Sequence, residues 1–158
     1  MSNIRLAFYK GPTAGLASWA IKFWTVSRYD HCEVIFPDGR SLRADGNRGV
    51  VWNTITDPSV WEVWTVPVTI DSLLALNEFA HDEVGCGYDW KGIFLAQFLP
   101  FRREDPAKWF CSELCAAALL KAGLPLARKP FAYSPGALRK ELSRMPGLTL
   151  GGGVGALP

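Results

Sequence analysis

The class of fold is decided by one stretch of sequence, His31-Cys32-Glu33-Val34-Ile35-Phe36-Pro37-Asp38-Gly39-Arg40. Along its first six residues the two faces of the chain alternate with a period of two, which is typical of a β-strand. The last four residues supply the chemistry of a tight turn. The stretch therefore predicts a β-hairpin, and Ser41–Asp45 is its second arm.

Further strands are predicted on both sides of this hairpin. Ile4–Tyr9 is a short strand that ends at Lys10-Gly11-Pro12. Val50–Asn53 and Val60–Val68 follow the hairpin, and the second of them is rich in the Trp and Val residues that strands favour. We expect an antiparallel sheet of about five strands.

The rest of the chain shows helical spacing. The stretch Thr13–Val26 is apolar on nearly every side, so a helix there is either buried or lines an apolar site. Four later helices are predicted, from about Leu73 to Gly85, Asp89 to Phe98, Cys111 to Gly123, and Pro135 to Arg144. Strands and helices together predict an α+β domain.

The composition limits the class of protein. The chain has 158 residues, which suits one domain, here placed at residues 1–146 with a flexible Gly-rich tail at 147–158. A hydrophobic content of 49% with 20% charged residues excludes a disordered chain. Because 17 basic residues are nearly balanced by 15 acidic ones, a dedicated nucleic-acid partner is not expected.

The N-terminal sequence and the cysteines indicate the cellular compartment in which the protein is made. Met1-Ser2-Asn3-Ile4-Arg5 lacks the pattern of a secretory signal, so we expect synthesis in a cytoplasm. No apolar run is long enough for a transmembrane segment. The four cysteines are expected to be free thiols.

Cys111 stands where thiol chemistry is favoured. The sequence Trp109-Phe110-Cys111-Ser112-Glu113-Leu114 places it in the first turn of an apolar helix. A helix N-terminus lowers the pKa of a thiol, and the backbone N–H groups of Cys111 and Ser112 could hold an oxyanion. The alternative is a small buried core residue, which is what we expect of Cys115.

His31 and Glu33 share one face of the predicted strand, because residues i and i+2 point the same way. The carboxylate can accept a hydrogen bond from one ring nitrogen and leave the other free to take a proton. The pair is a candidate base with its orienting residue. The same two side chains would also suit the solvent face of a half-buried strand.

Other patterns are interpreted as structural. Gly151–Gly155 is a linker, since phosphate-binding glycine loops lie between a strand and a helix N-terminus. Cys111 and Cys115 lack the Cys-x-x-Cys spacing of zinc ligands, so no metal and no other cofactor is predicted. The basic residues between Arg128 and Arg144 are assigned to a solvated helix face.

Three short motifs occur in a recognisable order, namely Tyr29-Asp30-His31-Cys32-Glu33-Val34-Ile35-Phe36-Pro37-Asp38-Gly39, Gly87-Tyr88-Asp89-Trp90, and Trp109-Phe110-Cys111-Ser112-Glu113-Leu114. With the apolar helix before them they resemble the circularly permuted NlpC-like papain-fold cysteine hydrolases. This is the YiiX-like group, which includes small forms encoded by phages and prophages. In that group a strand His precedes the helix Cys, the reverse of the order in papain. The resemblance covers roughly residues 4–125 and implies a papain-like α+β domain with the sheet packed on the Cys111 helix.

The resemblance also implies a set of site residues. Cys111 matches the nucleophile, His31 the base and Glu33 the residue that orients the base. Unpermuted relatives often take the third residue from the next strand, where this chain has Arg43 and Asp45. Asp45 is therefore the alternative to Glu33, although the shared strand face favours Glu33.

Substrate contacts are implied around a second segment. The turn Tyr88-Asp89-Trp90 resembles one that lies near the cleft in permuted members. Trp109 is implied as a further substrate contact. The implied partner is a peptide or an acyl-containing, lipid-like molecule. The apolar Thr13–Val26 helix and the seven Trp residues would suit an acyl chain.

Two functions follow from these expectations. The first is a cysteine hydrolase of amidase or peptidase type that forms an acyl-enzyme by attack of Cys111. The second is a catalytically silent phage accessory or structural protein that binds a peptide or acyl chain in the same cleft. Reactive side chains at the matching positions favour the enzyme.

Overall fold

The computed structural model describes residues 1–12, 27–89 and 107–151. The helix predicted over Thr13–Val26 lies outside these ranges, as does the one predicted over Asp89–Phe98 apart from Asp89 itself. The described elements form an α+β fold, which confirms the predicted class. No helix within these ranges is both long enough and apolar enough to cross a bilayer.

One antiparallel sheet forms the body of the fold. Its strands, in chain order, are β1 (Ser2–Tyr9), β2 (His31–Ile35), β3 (Ser41–Asp45), β4 (Gly49–Asn53), β5 (Trp61–Val68) and β8 (Thr149–Leu150). Across the sheet they follow the order β4-β3-β2-β1-β5-β8. The predicted hairpin is present, because the Phe36 N–H donates to the Arg40 carbonyl at 2.8 Å and the turn between them holds Gly39 at a φ of 86°.

Three helices and one small ladder complete the described chain. The helices are α1 (Ile70–Glu83), α2 (Cys111–Lys121) and α3 (Pro135–Leu142), and short 3-10 turns lie at Pro58–Val60 and Pro130–Ala132. The ladder pairs β6 (Gly87–Tyr88) with β7 (Lys108–Trp109) in parallel. This ladder holds the entry to α2 against the end of α1.

The main sheet has six strands where about five were predicted. The sixth, β8, lies within the segment from Gly147 onward that was expected to be flexible, and it pairs with β5 through Trp64↔Leu150 and Thr65↔Thr149. A ladder of two residues carries no period in the sequence, so only the neighbouring strand specifies it. Residues 152–158 of the predicted tail lie outside the described ranges.

The core lies between one face of the sheet and α2. Strand residues such as Leu6, Val34 and Leu42 are fully buried there, with Leu114 and Leu119 of α2 packed in the same cluster. The opposite face carries a smaller apolar cluster of Ala7, Ile35 and Val63. Because α2 packs across the middle strands, its first turn comes to lie beside the start of β2.

Candidate active site

The N-terminus of α2 opens toward the start of β2. Phe110 caps the helix with extended backbone angles and has no polar side chain to bond the first-turn N–H groups. The first helical hydrogen bond runs from the Leu114 N–H to the Phe110 carbonyl at 3.0 Å. Backbone donors and the positive end of the helix dipole are thus concentrated at Cys111.

Ser112 is held by its side chain. Its hydroxyl donates to the Tyr133 carbonyl at 2.6 Å, and the residue is fully buried. The hydroxyl is therefore committed to the packing of α2 on the Pro130–Ala132 turn. Only the backbone N–H of Ser112 is suited to the predicted oxyanion role.

Cys111 lies against the segment that leads into β2. The residue is 3% exposed, and its Sγ is 4.0 Å from the Asp30 carbonyl oxygen. A hydrogen bond from the Cys32 thiol is the strongest influence on its pKa and lowers it, whereas burial raises it. A hydrogen bond and charge interaction with His31, together with the Cys32 backbone N–H, lower it further. The net pKa falls well below the usual range, which favours a thiolate.

His31 stands between Cys111 and Glu33. Its Nε2 lies 3.2 Å from the Glu33 Oε1, so Nδ1 is the ring nitrogen available to Cys111. Burial alone would lower the pKa of His31, but hydrogen bonds and charge interactions with Cys111 and Glu33 raise it to about 10. The Trp61 ring packs edge-on against the imidazole at a centroid distance of 6.0 Å. The arrangement favours an imidazolium beside a thiolate.

Glu33 is fully buried and surrounded by donors. Its Oε2 accepts from the Ser41 hydroxyl at 2.5 Å and from the Asn53 amide at 3.1 Å, and Arg43 lies 3.7 Å from Oε1. Burial raises its pKa, but the hydrogen bonds from His31, Ser41 and Asn53 outweigh this, so the pKa lies below its ordinary value. Glu33 therefore carries a negative charge toward His31 at neutral pH.

Ser41 and Asn53 are site residues that were not predicted from the sequence. They face each other in the register of β3 and β4, and Ser41 also pairs with Ile35 of β2. Polar residues at the ends of adjacent strands were the available signal. It becomes specific only when the strand register is known.

Asp45 is held by the turn that follows it and by Arg43. It accepts from the Asn47 and Arg48 N–H groups at 3.0 and 3.2 Å, and it pairs with Arg43 at 3.2 Å. These contacts lower its pKa against the effect of burial. Of the two carboxylates considered for orienting the His, Glu33 is the one in contact with the ring.

The predicted substrate-contact residues have different surroundings in the structure. Tyr88 interacts electrostatically with Cys111 and Cys32, and burial is the main reason that its pKa is raised well above normal. Asp89 is buried, and its N–H donates to the Trp109 carbonyl at 3.0 Å. The Trp109 indole donates to Glu83 at 2.6 Å and packs on Phe79 of α1. These contacts give Trp109 a structural role in joining β7 to α1. Trp90 lies outside the described residues.

Comparison with known proteins finds similarity in structure. No protein-family model and no curated protein matches the sequence. The crystal structure of metalloprotein YiiX from Escherichia coli O157:H7 superposes with a TM-score of 0.63, over 94% of this chain and 95% of that chain. The chain has a YiiX-like fold. The two sequences are 15% identical, so the likeness shows the fold, and it is consistent with the papain-like architecture that was expected.

YiiX is described as a metalloprotein. Over residues 1–12, 27–89 and 107–151, no three or more His, Cys, Asp or Glu side chains are grouped to hold a metal ion. His31 and Glu33 are instead engaged with each other and with neighbouring donors.

Proposed function

We propose that the protein is a cysteine hydrolase of amidase or peptidase type with Cys111, His31 and Glu33 as its reactive group. The observation that supports this most strongly is the position of His31, which lies 3.2 Å from the buried Glu33 carboxylate and interacts with the Cys111 thiol strongly enough to raise the pKa of its ring to about 10. A carboxylate on the solvent face of a strand would not be fully buried beside the imidazole, as Glu33 is. The nearest alternative role, a silent binding module, gives no reason for this arrangement.

The proposed reaction is acyl transfer to water. The Cys111 thiolate attacks the substrate carbonyl, and the backbone N–H groups at the start of α2 stabilise the oxyanion. The His31 imidazolium then gives its proton to the leaving group as the acyl-enzyme forms. Neutral His31 next takes a proton from water, which attacks the acyl-enzyme and releases Cys111. Glu33 holds the ring in orientation throughout and stabilises its positive charge.

The substrate is proposed to carry a peptide or a lipid-like acyl group. Tyr88 interacts electrostatically with the Cys111 thiol and is therefore a candidate contact for the substrate. The apolar sequence Thr13–Val26 is a further reason to propose a substrate with an acyl chain. NlpC-like enzymes cleave cell-wall peptides, which makes the peptide class the first to test.

The thiol chemistry is tested by brief alkylation with iodoacetamide near neutral pH. We expect Cys111 to be modified first, although Cys86 is more exposed, because burial and a contact with Glu83 raise the pKa of Cys86. Peptide mass spectrometry locates the label. Preferential labelling of Cys86, Cys32 or Cys115 would remove the nucleophile assignment.

The hydrolysis is tested on a panel of cell-wall-type peptides and acyl esters. The purified chain should hydrolyse at least one class, Cys111→Ala should be inactive, and Cys115→Ala should retain activity. Cys115 is the matched control because it is equally buried on the same helix. Selective alkylation of Cys111 without turnover, combined with saturable binding of a peptide or acyl chain, would support the silent binding module instead.

A further inference from the structure

Three of the four thiols lie together in the core beside the candidate active site. Cys32, Cys111 and Cys115 are all buried in one cluster, with exposed fractions of 0%, 3% and 1%. Cys32 lies on β2 between His31 and Glu33, and the other two lie on α2. The proposed hydrolysis requires Cys111, but it assigns no chemistry to the thiol of Cys32.

Cys32 and Cys111 come together where the main chain that enters β2 passes the start of α2. The Cys111 Sγ lies 4.0 Å from the carbonyl oxygen of Asp30, two residues before Cys32, and both thiols are buried in one cluster. Interaction with the Cys32 thiol and backbone N–H also lowers the pKa of Cys111. Short separation of the two main chains is the condition for a disulfide.

We propose that Cys111 is a site of reversible oxidation by hydroperoxides and that Cys32 is its resolving thiol, so that oxidation yields a Cys32–Cys111 disulfide. A thiolate beside a second thiol is the arrangement that oxidises through a sulfenic acid to a disulfide. The chemistry depends on the reactivity of Cys111. Only its effect on turnover rests on the proposed function.

The oxidation takes place in two balanced steps. The Cys111 thiolate attacks one peroxide oxygen, the O–O bond breaks, and the leaving alkoxide or hydroxide takes a proton. The sulfur is oxidised by two electrons to a sulfenic acid, and the peroxide is reduced to an alcohol or water. Cys32 then loses its proton and attacks the Cys111 sulfur. The S–O bond breaks, water leaves and the S–S bond forms, and a dithiol reductant restores both thiols.

Cys32 is a better resolving partner than the other thiols. Cys115 is buried in the same cluster, but it lies one helical turn beyond Cys111, where the helix backbone fixes the separation of the two residues. Cys86 is bonded to Glu83 at 3.4 Å, in the turn after α1. Oxidation is therefore expected to select the pair of Cys32 and Cys111.

The test treats the reduced full chain with a small molar excess of hydrogen peroxide, in a Cys86→Ser background that prevents crosslinks between molecules. We expect the intact mass to fall by a pair of hydrogens and the tryptic peptides 29–40 and 109–121 to be joined. A second cleavage at Glu113 separates Cys111 from Cys115 and identifies the partner. Dithiothreitol should restore the free thiols and the alkylation of Cys111.

Variants separate the proposal from its alternatives. Cys115→Ala should still form the crosslink, whereas Cys32→Ser should accumulate a Cys111 sulfenic acid that dimedone traps, followed by sulfinic acid. The proposal is overturned if Cys111 of the otherwise native chain passes to sulfinic acid without a crosslink. A Cys111–Cys115 or Cys32–Cys115 disulfide overturns it as well. Because the Cys86→Ser chain alone gives these results, a failure of Cys32→Ser to fold does not affect the decision, nor does an absence of hydrolysis.

Discussion

Cys111 and His31 alter each other's protonation state through direct contact. Burial disfavours a charge on either side chain, yet the pKa of the thiol is lowered and that of the imidazole is raised. The Cys32 thiol has the largest influence on the Cys111 pKa, and the opposite charges of Cys111 and His31 then stabilise each other, so the two groups titrate as a pair. The thiolate and imidazolium should coexist over the pH range between the lowered thiol pKa and about 10.

Removal of the thiolate should therefore lower the pKa of His31. In Cys111→Ala the hydrogen bond and charge of Cys111 are lost, while burial still opposes the imidazolium and Glu33 still favours it. We expect NMR titration of the ring protons to give a value near 10 in the native chain and a clearly lower one in the variant. The chain has two histidines, so His81→Gln identifies the signals of His31. An unchanged titration of His31 in Cys111→Ala would show that the two side chains are not coupled.

The contact of Glu33 with the imidazole predicts a difference between two carboxylates. Glu33→Gln removes the charge that faces Nε2 of His31, so alkylation of Cys111 at neutral pH should slow by about tenfold or more. Asp45→Asn alters contacts with Arg43, Arg48 and nearby N–H groups and an electrostatic interaction with Tyr88, and it should leave the rate within about twofold. Pseudo-first-order alkylation rates measure both effects. The reverse order of rates would assign the orienting role to Asp45.

At the scale of elements, β4 is joined to the end of α1 through backbone contacts. The Val50 N–H donates to the Cys86 carbonyl at 2.8 Å, and the Gly85 N–H donates to the Val50 carbonyl at 2.9 Å. Gly49 makes this approach possible. It has a φ of 72°, and a Cβ at this position would lie 2.1 Å from the Cys86 carbonyl oxygen.

Gly49→Ala should consequently destabilise the fold more than the same change in the first hairpin. Gly39 also has a positive φ, but a Cβ there meets no atom within 4 Å. Gly39→Ala is expected to cost about 1 kcal/mol of unfolding free energy from backbone strain, and Gly49→Ala about 3 kcal/mol or more because the clash adds to the strain. Urea denaturation of the two variants measures the difference. Equal costs would mean that β4 and the end of α1 do not need this close approach.

At the scale of the whole molecule, Glu62 connects distant parts of the chain. It accepts hydrogen bonds from the Tyr29 hydroxyl at 2.5 Å, the Trp64 indole at 2.9 Å and the Arg139 guanidinium at 2.6 Å. The carboxylate thereby ties β5 to the segment before β2 and to α3. Burial raises its pKa, but these donors outweigh burial and lower the pKa below the ordinary value.

This network predicts a pH-dependent contribution to stability. Because the pKa of Glu62 is lower in the folded state, its stabilisation is present above the unfolded pKa of about 4.3 and is lost as the pH falls through the folded value. Glu62→Gln should lower the unfolding free energy by about 1–2 kcal/mol at neutral pH. That difference should shrink as the pH falls below about 4. Urea denaturation of both proteins across the acid range tests this, and a constant difference would contradict the assigned network.

The sequence alone determined the features that depend on local period and on position within one element. Alternation gave the strand His31–Ile35 with His31 and Glu33 on one face, and helical spacing placed Cys111 at the start of Cys111–Lys121. These predictions needed no partner, because side-chain direction follows from the strand or helix itself. The predicted α+β class and the main strands follow from the same signals.

Only the tertiary structure decided what lies opposite each of these side chains. The donors Ser41 and Asn53 around Glu33, the Cys32 N–H at the Cys111 sulfur, and the pairing of Thr149–Leu150 with Trp61–Val68 all join residues distant in sequence. Strand register and helix placement bring them together, and neither leaves a periodic signal in a single sequence. The chemical groups of the candidate site can therefore be predicted from the sequence, whereas the contacts that set their charge arise from tertiary packing.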